Sequence, residues 1–444
     1  MFPRMKNRAF AFVAAATILT LTAACSGSTE PKEGTSSSGG AKEDVELKVL
    51  TWRTDLVEDG TFDEYAKRFN EANPHITVKF EGITDYEGEV KTRMSTENYG
   101  DVLGIVNTVQ PDQLGDFFEP LGTVDELEKE YRFIRAKAYE GNAYGIPVVG
   151  NAQGIVYNKK VWQAAGLTDF PTTPQEFLDA MKAIKDKTDA IPLYTNYAAG
   201  WTVTQWESHR GSISADPNFD NSLLTTDEPW TEGSDHFVID SLLWDVVNQG
   251  LVEEDPTTTD WELSKDLLAT GEVATLPLGS WAITQMQDAA VKNGGAPEDI
   301  GYMPFPHQKD GKFYSSVGGD YNLAINVHSK HKEEARAWIE WFNRESGFSE
   351  AQGGLSPLID SKEPAVLSDF AAAGVNYIEQ YPAEPGNEGK LDKIDNTAEI
   401  GLWQDMYRKR IIDAARGQGG ETKEEIFADL NAKWKAARAE VMGQ

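Results

Sequence analysis

From residue 45 onward, segments with the pattern of strands alternate with segments of helical period, and this alternation restricts the fold more than any other feature of the chain. Leu47-Lys48-Val49-Leu50 reads as a strand. Thr61-Phe62-Asp63-Glu64 has the form of a capping box, and Phe62, Tyr65, Ala66 and Phe69 then share one helical face. Asn73-Pro74 ends that helix, because proline disfavours helical backbone in the residue before it. Ile76-Thr77-Val78-Lys79-Phe80 is a second strand, and a polar helix over 85–96 leads to a third at 102–106. Strand, crossover and strand make a βαβ unit, so the pattern predicts an α/β protein with a parallel sheet. It continues beyond Gly150, where Thr173-Pro174-Gln175-Glu176 opens a helix running through Lys185, with proline at its first position. Helices are predicted over 236–248, 261–269, 280–292, 332–343 and 421–440, and strands over 191–195, 272–278 and 321–326. The stretch ending at Gly389, PAEPGNEG, reads as a loop, and the whole as two lobes.

The N-terminal segment follows different rules. Arg4, Lys6 and Arg8 precede an uncharged run from Ala9 to Ala24, which is too short to span a bilayer. A basic start, a short apolar core and small residues before a cut describe a secretory signal, residues 1–24. The run closes as Leu21-Thr22-Ala23-Ala24-Cys25 and resembles a bacterial lipobox, with Thr22 where leucine is commoner. Cys25 would then be the lipidated first residue of the mature chain. The alternative is ordinary cleavage after Ala24, with Cys25 left as a free thiol. Residues 25–44 are rich in Gly, Ser and charge and read as a flexible tether.

Cys25 is the only cysteine among 444 residues, so no disulfide forms within the chain and stability must come from burial. A thiolate zinc site is excluded on the same ground. The net charge of −31 becomes more negative once the basic signal is removed, which argues against nucleic acid as a partner and against membrane contact other than through a lipid anchor. There is no G-x-S-x-G elbow, phosphate-binding Walker loop, G-x-G-x-x-G or H-E-x-x-H motif. His328 and His331 flank Ser329-Lys330 and read as solvated turn residues rather than metal ligands. The sequence implies no cofactor and no metal.

The 12 tryptophans carry more information. Sugars present flat C–H faces edged by hydroxyls, so a sugar site pairs aromatic plates with carboxylate, amide and guanidinium groups. Arg53 and Asp55 follow the first predicted strand, and Asn107 follows the third. Asn196, Tyr197 and Trp201 follow the strand ending at Thr195, and Trp281 follows Gly279-Ser280. Gly318-Gly319-Asp320 precedes a strand, and the glycines permit close backbone approach. In parallel sheets ligands sit beyond the carboxyl ends of strands, where most of these residues fall. Trp338 and Trp341 lie on a core-like helix face with Ala335 and Phe342, and Trp244, Trp403 and Trp434 also read as core. Trp162 packs at a helix start, and Trp206, Trp230 and Trp261 are open between core and site.

Several segments are similar to those of extracellular sugar-binding proteins of ABC transporters, the family 1, maltose-binding-protein-like solute receptors. They are Tyr144-Gly145-Ile146-Pro147, Gly154-Ile155-Val156-Tyr157-Asn158-Lys159-Lys160-Val161-Trp162, Pro171 to Phe177, Gly271 to Ala274 with Gly279-Ser280-Trp281, Gly318-Gly319 with Leu323 to Asn326, and Gly353-Gly354-Leu355-Ser356-Pro357. The resemblance implies two α/β lobes around a hinge and ligand cleft, discontinuous in sequence: 45–149 with 317–350, and 150–316 with 351–444. It implies a monomeric, non-enzymatic receptor that delivers a carbohydrate, an oligosaccharide, to the permease subunits of an importer. Ligand contacts would come from Arg53, Asp55, Asn107, Asn151, Asn196, Tyr197, Trp201, Gly319 and Asp320, with Trp281 stacking on the sugar. Asp320 stands where many relatives keep a small residue. A non-sugar solute in the same fold, or a secreted carbohydrate-active enzyme, remain the alternatives.

Overall fold

The computed structural model describes residues 43–320 and 322–443, so the signal, Cys25 and the tether up to residue 42 lie outside the described residues. The first sheet has four strands in the order Leu323–Ile325, Val102–Gly104, Val45–Thr51, Ile76–Gly82. Val45–Thr51 is parallel to Ile76–Gly82, with Val45 opposite Ile76 and Thr51 opposite Gly82, and parallel also to Val102–Gly104. Leu323–Ile325 adds an antiparallel edge. The helix Thr61–Ala72 buries Phe62, Tyr65 and Phe69. The helix Lys332–Arg344 buries Ala335, Trp338, Ile339, Trp341 and Phe342. Phe69 and Phe80 meet Trp338 edge-on, with ring centroids 5.2 and 5.6 Å away. These aromatics, with Leu47, Val49, Val78, Val102 and Ile325, form one core.

The second sheet is built on the ten-residue strand Val149–Asn158. Its first half pairs antiparallel with Lys312–Asp320, and its second half with Thr275–Gly279 and Ile300–Met303, both antiparallel. Asn376–Glu379 lies parallel beside Lys312–Asp320. A second large core, from Ile155 and Phe177 through Leu243 to Trp434, packs the helices Pro174–Lys187, Asp235–Asn248, Met406–Ala415 and Lys423–Met442 around this sheet.

Three chain segments cross between the two sets of buried residues. The Gly150 N–H donates to the Leu355 carbonyl at 2.6 Å and the Leu355 N–H to the Gly150 carbonyl at 2.7 Å, while Gly319 lies opposite Gly150 in the strand pair. Glycine is needed at this crossing: a Cβ on Gly150 would come 2.4 Å from the Phe133 ring, and one on Gly319 would come 2.7 Å from Phe133 Cβ.

Several expectations need correction. The parallel sheet holds for three strands near the N-terminus, but the strands around Val149–Asn158 are mostly antiparallel. The run 191–195 is not a strand, for it makes only single bridges, Ile191 to Val273 and Leu193 to Val252. Thr61 does not cap its helix; Gly60 does, in a left-handed conformation, and Asp59 Oδ1 accepts the Thr61 N–H at 2.8 Å. Of the tryptophans, Trp338, Trp341, Trp162 and Trp434 are buried, and so are Trp206 and Trp230. Trp403, expected in the core, is 38% exposed. It sits in the turn before Met406–Ala415 rather than within a helix, so helical spacing does not govern where it points.

Candidate functional site

Three tryptophans from distant parts of the chain converge. Trp201 lies just past the short turn Tyr197–Ala199, Trp261 is the first residue of the helix Trp261–Thr270, and Trp281 caps the helix Ala282–Lys292. Their centroids are 4.9 Å (Trp201–Trp261), 5.8 Å (Trp201–Trp281) and 5.7 Å (Trp261–Trp281) apart, at interplanar angles of 76°, 47° and 60°. Tilted pairs of this kind contribute about 0.5–1.5 kcal/mol each beyond simple burial, so the cluster holds its own shape. Trp201 is 41% exposed, and the other two are partly buried.

Local sequence explains each placement. Asp260 Oδ1 accepts the Leu263 N–H at 2.7 Å and starts the helix at Trp261. The bare Cα of Gly279 lets the Trp281 indole fold back over the end of Thr275–Gly279, where a Cβ would lie 2.7 Å from Cδ1 and Nε1. Gln153 is paired with Gly279, and its Oε1 would lie 3.3 Å from that same Cβ. Asn196, in left-handed backbone at φ 55°, turns the chain toward Trp201. Its Nδ2 donates to Ser264 Oγ at 3.2 Å, while its buried Oδ1 has no partner. Beneath it, Glu253 accepts from the Thr195 N–H at 2.8 Å; burial pushes this carboxyl upward, opposed by those hydrogen bonds.

A second group gathers where the segments cross. Asn151 Nδ2 donates to Asp320 Oδ2 at 3.4 Å, and Asn151 Oδ1 is buried without a partner. Arg53 forks onto Asp55, Nε to Oδ1 at 2.8 Å and Nη2 to Oδ2 at 2.6 Å, and its Nη1 donates to Gln352 Oε1 at 2.5 Å. The Arg53 hydrogen bond holds the Asp55 carboxyl below its usual range. Arg53 thus joins the loop after the first strand to the segment leading into Gly353-Gly354.

Other predicted residues are placed elsewhere. Tyr197 points away from the tryptophans: its hydroxyl donates to Asp413 Oδ2 at 3.0 Å, and Lys409 Nζ lies 4.8 Å from its ring. Burial, with help from Asp413, pushes the Tyr197 hydroxyl up to about 12. Asn107 is exposed and held by Glu87, whose Oε2 accepts its backbone N–H at 3.0 Å. The close approach at Gly319 is made by Phe133 and Pro147, whereas a Cβ on Gly318 would meet nothing within 4 Å. Gln153 and Gln352 are site neighbours that the sequence did not single out, and Trp261, which the sequence left open between core and site, falls in the cluster, set there by its Asp260 cap. Among the described residues no group of three or more His, Cys, Asp or Glu side chains is arranged to hold a metal ion. None of the described helices is long and apolar enough to cross a membrane.

Comparison with known proteins places this geometry among binding proteins. Residues 53–347 match the family model for bacterial extracellular solute-binding proteins. The chain is 26% identical over 322 residues to a multiple sugar-binding protein of Streptococcus mutans, covering 69% of this chain and 73% of that protein. Among solved structures, it is similar to a binding protein of an ABC transporter from Bifidobacterium animalis subsp. lactis in complex with mannobiose: 35% identity, TM-score 0.81, 89% of this chain and 95% of the other covered. A manno-oligosaccharide specific solute binding protein from the same organism, in complex with mannotriose, matches at 32% identity and TM-score 0.81, covering 90% and 95%.

Proposed function

Because the chain belongs to the bacterial extracellular solute-binding proteins, two-lobed α/β receptors, we propose that it captures a neutral oligosaccharide for an ABC importer, manno-oligosaccharides being the first class to try. The observation that carries this is the Trp201–Trp261–Trp281 cluster beside the amide of Asn196. Flat apolar plates with adjoining hydrogen-bonding groups suit the two surfaces of a sugar ring, and nothing in that cluster supplies a nucleophile or an acid–base pair. In this reading the protein binds and releases its ligand unchanged.

The lobes run 45–149 with 317–350 and 150–316 with 351–444. The four hydrophobic clusters, whose buried residues sort two and two between these sets of segments, and the crossings at Gly150, Gly319 and Leu355 support that division. Trp281, Trp201, Asn196, Asn151 and Asp320 contact the sugar, and Arg53 with Asp55 braces the crossing. Ligand that touches both lobes favours the closed state by its differential affinity, and the permease reads that state. Cys25 carries the lipid that keeps the receptor, a monomer, on the outer face of the membrane.

Trp281→Ala tests the stacking role. Losing one plate removes an aromatic contact of about 0.5–1.5 kcal/mol and the area beneath it, at about 25 cal/mol per Å², so affinity falls more than about tenfold. Calorimetric titration with mannobiose and mannotriose reads the change, with thermal unfolding as the check on folding. Unchanged affinity in a folded variant rejects the role.

A further inference from the structure

Phe133 is buried, at 3% exposure, yet it belongs to none of the four hydrophobic clusters. Its backbone is left-handed, with φ 64° and ψ 18°. A bulky residue rarely takes that conformation, because its Cβ crowds the following carbonyl oxygen. Such strain persists only where the surroundings over-determine it.

The surroundings here are the three crossings. A Cβ on Gly150 would come 2.4 Å from Phe133 Cε2, and one on Gly319 would come 2.7 Å from Phe133 Cβ. One residue earlier, the Arg132 N–H donates to the Pro357 carbonyl at 2.6 Å, and Arg132 Nη2 donates to the Ile359 carbonyl at 2.9 Å. The Ile359 N–H donates in return to the Glu130 carbonyl at 3.0 Å, and Tyr131 is bridged to Leu358. From the other side comes Glu379, opposite Val317 in its strand pair. Burial pushes the Glu379 carboxyl up, and a hydrogen bond from the Phe133 N–H opposes that push. Residues 130–133 thus grip all three connecting segments. Away from the crossings the two sets of segments also touch: a Cβ on Gly389 would meet Gln110 Oε1 at 3.3 Å, so the lobes are drawn together in this arrangement. One short segment gripping three connections cannot keep every contact when the lobes rotate, and its contacts therefore belong to the closed form.

We propose that Glu130–Phe133 is a latch that favours the closed form, with Phe133 as its positioning residue, so that a side chain away from the ligand helps to set how long the ligand stays. The latch rests on the two-lobed receptor reading and goes beyond it. A ligand closes the lobes by its differential affinity for the two states, and the latch lowers what the ligand itself must supply.

The test compares wild type with Phe133→Ala, Phe133→Gly and Phe133→Leu. Stopped-flow tryptophan fluorescence with mannobiose and mannotriose reads association and dissociation, small-angle X-ray scattering reads the radius of gyration without sugar, and thermal unfolding reads stability. Phe133→Ala is expected to release sugar roughly three- to tenfold faster while associating within about twofold of wild type, because opening precedes release and the open form binds as before. Phe133→Leu, which keeps apolar bulk against both glycines, recovers most of the loss. Phe133→Gly separates positioning from folding, and it carries the comparison if the alanine variant does not fold. Glycine takes φ 64° without strain, so its thermal midpoint is at or above that of Phe133→Ala, while its sugar release is just as fast. Unchanged release in the alanine and glycine variants, or release restored along with the midpoint in Phe133→Gly, overturns the latch and leaves the receptor reading intact. No binding of either sugar by the wild type counts against the receptor reading, and scattering then decides alone: a larger radius of gyration in Phe133→Ala than in wild type upholds the latch, and one no larger overturns it.

Discussion

Replacing Arg408 with methionine removes the cation that holds two carboxylates inside the second core. Its guanidinium is fully buried and donates through Nη2 to Glu207 Oε2 at 2.6 Å and through Nε to Asp240 Oδ1 at 2.9 Å. Glu207 and Asp240 are 2% and 0% exposed. Burial opposes ionisation of Glu207, yet the charges of His236 and Arg408 hold its carboxyl down to about 2. Without Arg408, Glu207 keeps His236 Nε2 at 3.1 Å and Arg210 Nε at 4.0 Å, and Asp240 keeps the Trp230 Nε1–H at 2.8 Å. Removing one member of a buried pair costs about 3–5 kcal/mol, and with two carboxylates affected we expect about 4–5 kcal/mol. Against a total of about 5–15 kcal/mol this is severe, and at about 2 kcal/mol per molar urea it moves the second-lobe midpoint down by about 2 M. Urea unfolding followed by tryptophan fluorescence reads it. Because the cost is uncompensated charge, Arg408→Met combined with Glu207→Gln and Asp240→Asn regains most of the loss. A single-variant loss below about 1 kcal/mol, or a triple variant no better than the single, refutes the reasoning.

Four further outcomes follow from individual residues. Burial, aided by the Arg408 charge, lowers the His209 imidazole to about 3, so it stays neutral when folded and takes up a proton on unfolding below 6.5. Its contribution is therefore present above pH 6.5 and falls by about 1.4 kcal/mol per pH unit as pH drops toward 3; His209→Gln flattens that slope in urea titrations, and an unchanged slope contradicts the assignment. His236 acts in the opposite sense: burial lowers its affinity for a proton, but Glu207 outweighs this and raises it above 6.5, so its contribution is lost as pH rises through the raised value. Gly319→Ala puts a methyl group 2.7–2.8 Å from Phe133 and Pro147 and costs about 1–3 kcal/mol, read as a lowered thermal midpoint; no change sinks the close-packed crossing. Cys25→Ala releases the protein from cells into the medium, as fractionation and immunoblotting would detect, and retention on the membrane rejects the lipid anchor.

The parts of the fold legible in the sequence were those set by local pattern. Strands Val45–Thr51 and Ile76–Gly82, with the helix between them, follow from side-chain periodicity and the Asn73-Pro74 stop, and the helices Asp235–Asn248 and Lys332–Arg344 appear nearly as predicted. The long strand Val149–Asn158 was visible only as a family-like segment, because Gly150, Asn151 and Gly154 break the strand pattern while its three partner strands supply the ladder. Conversely, 191–195 looks like a strand but finds no continuous partner. The site behaves the same way. Trp201 and Trp281 were singled out by their loop positions, but their meeting with Trp261 is a tertiary fact that no spacing encodes. The Arg408–Glu207–Asp240 cluster joins residues 201 and 168 positions apart, so its members read as surface charge until the fold assembles them.

The central claim, a receptor for an oligosaccharide, is tested most directly by titrating the soluble chain from residue 26 onward with a panel of mono- and oligosaccharides, peptides and polyamines while recording intrinsic tryptophan fluorescence. A binding site built on Trp201, Trp261 and Trp281 predicts a saturable change with one class of oligosaccharide at micromolar or lower concentration. Silence across the sugars, with a saturable response to a peptide or a polyamine, would contradict it.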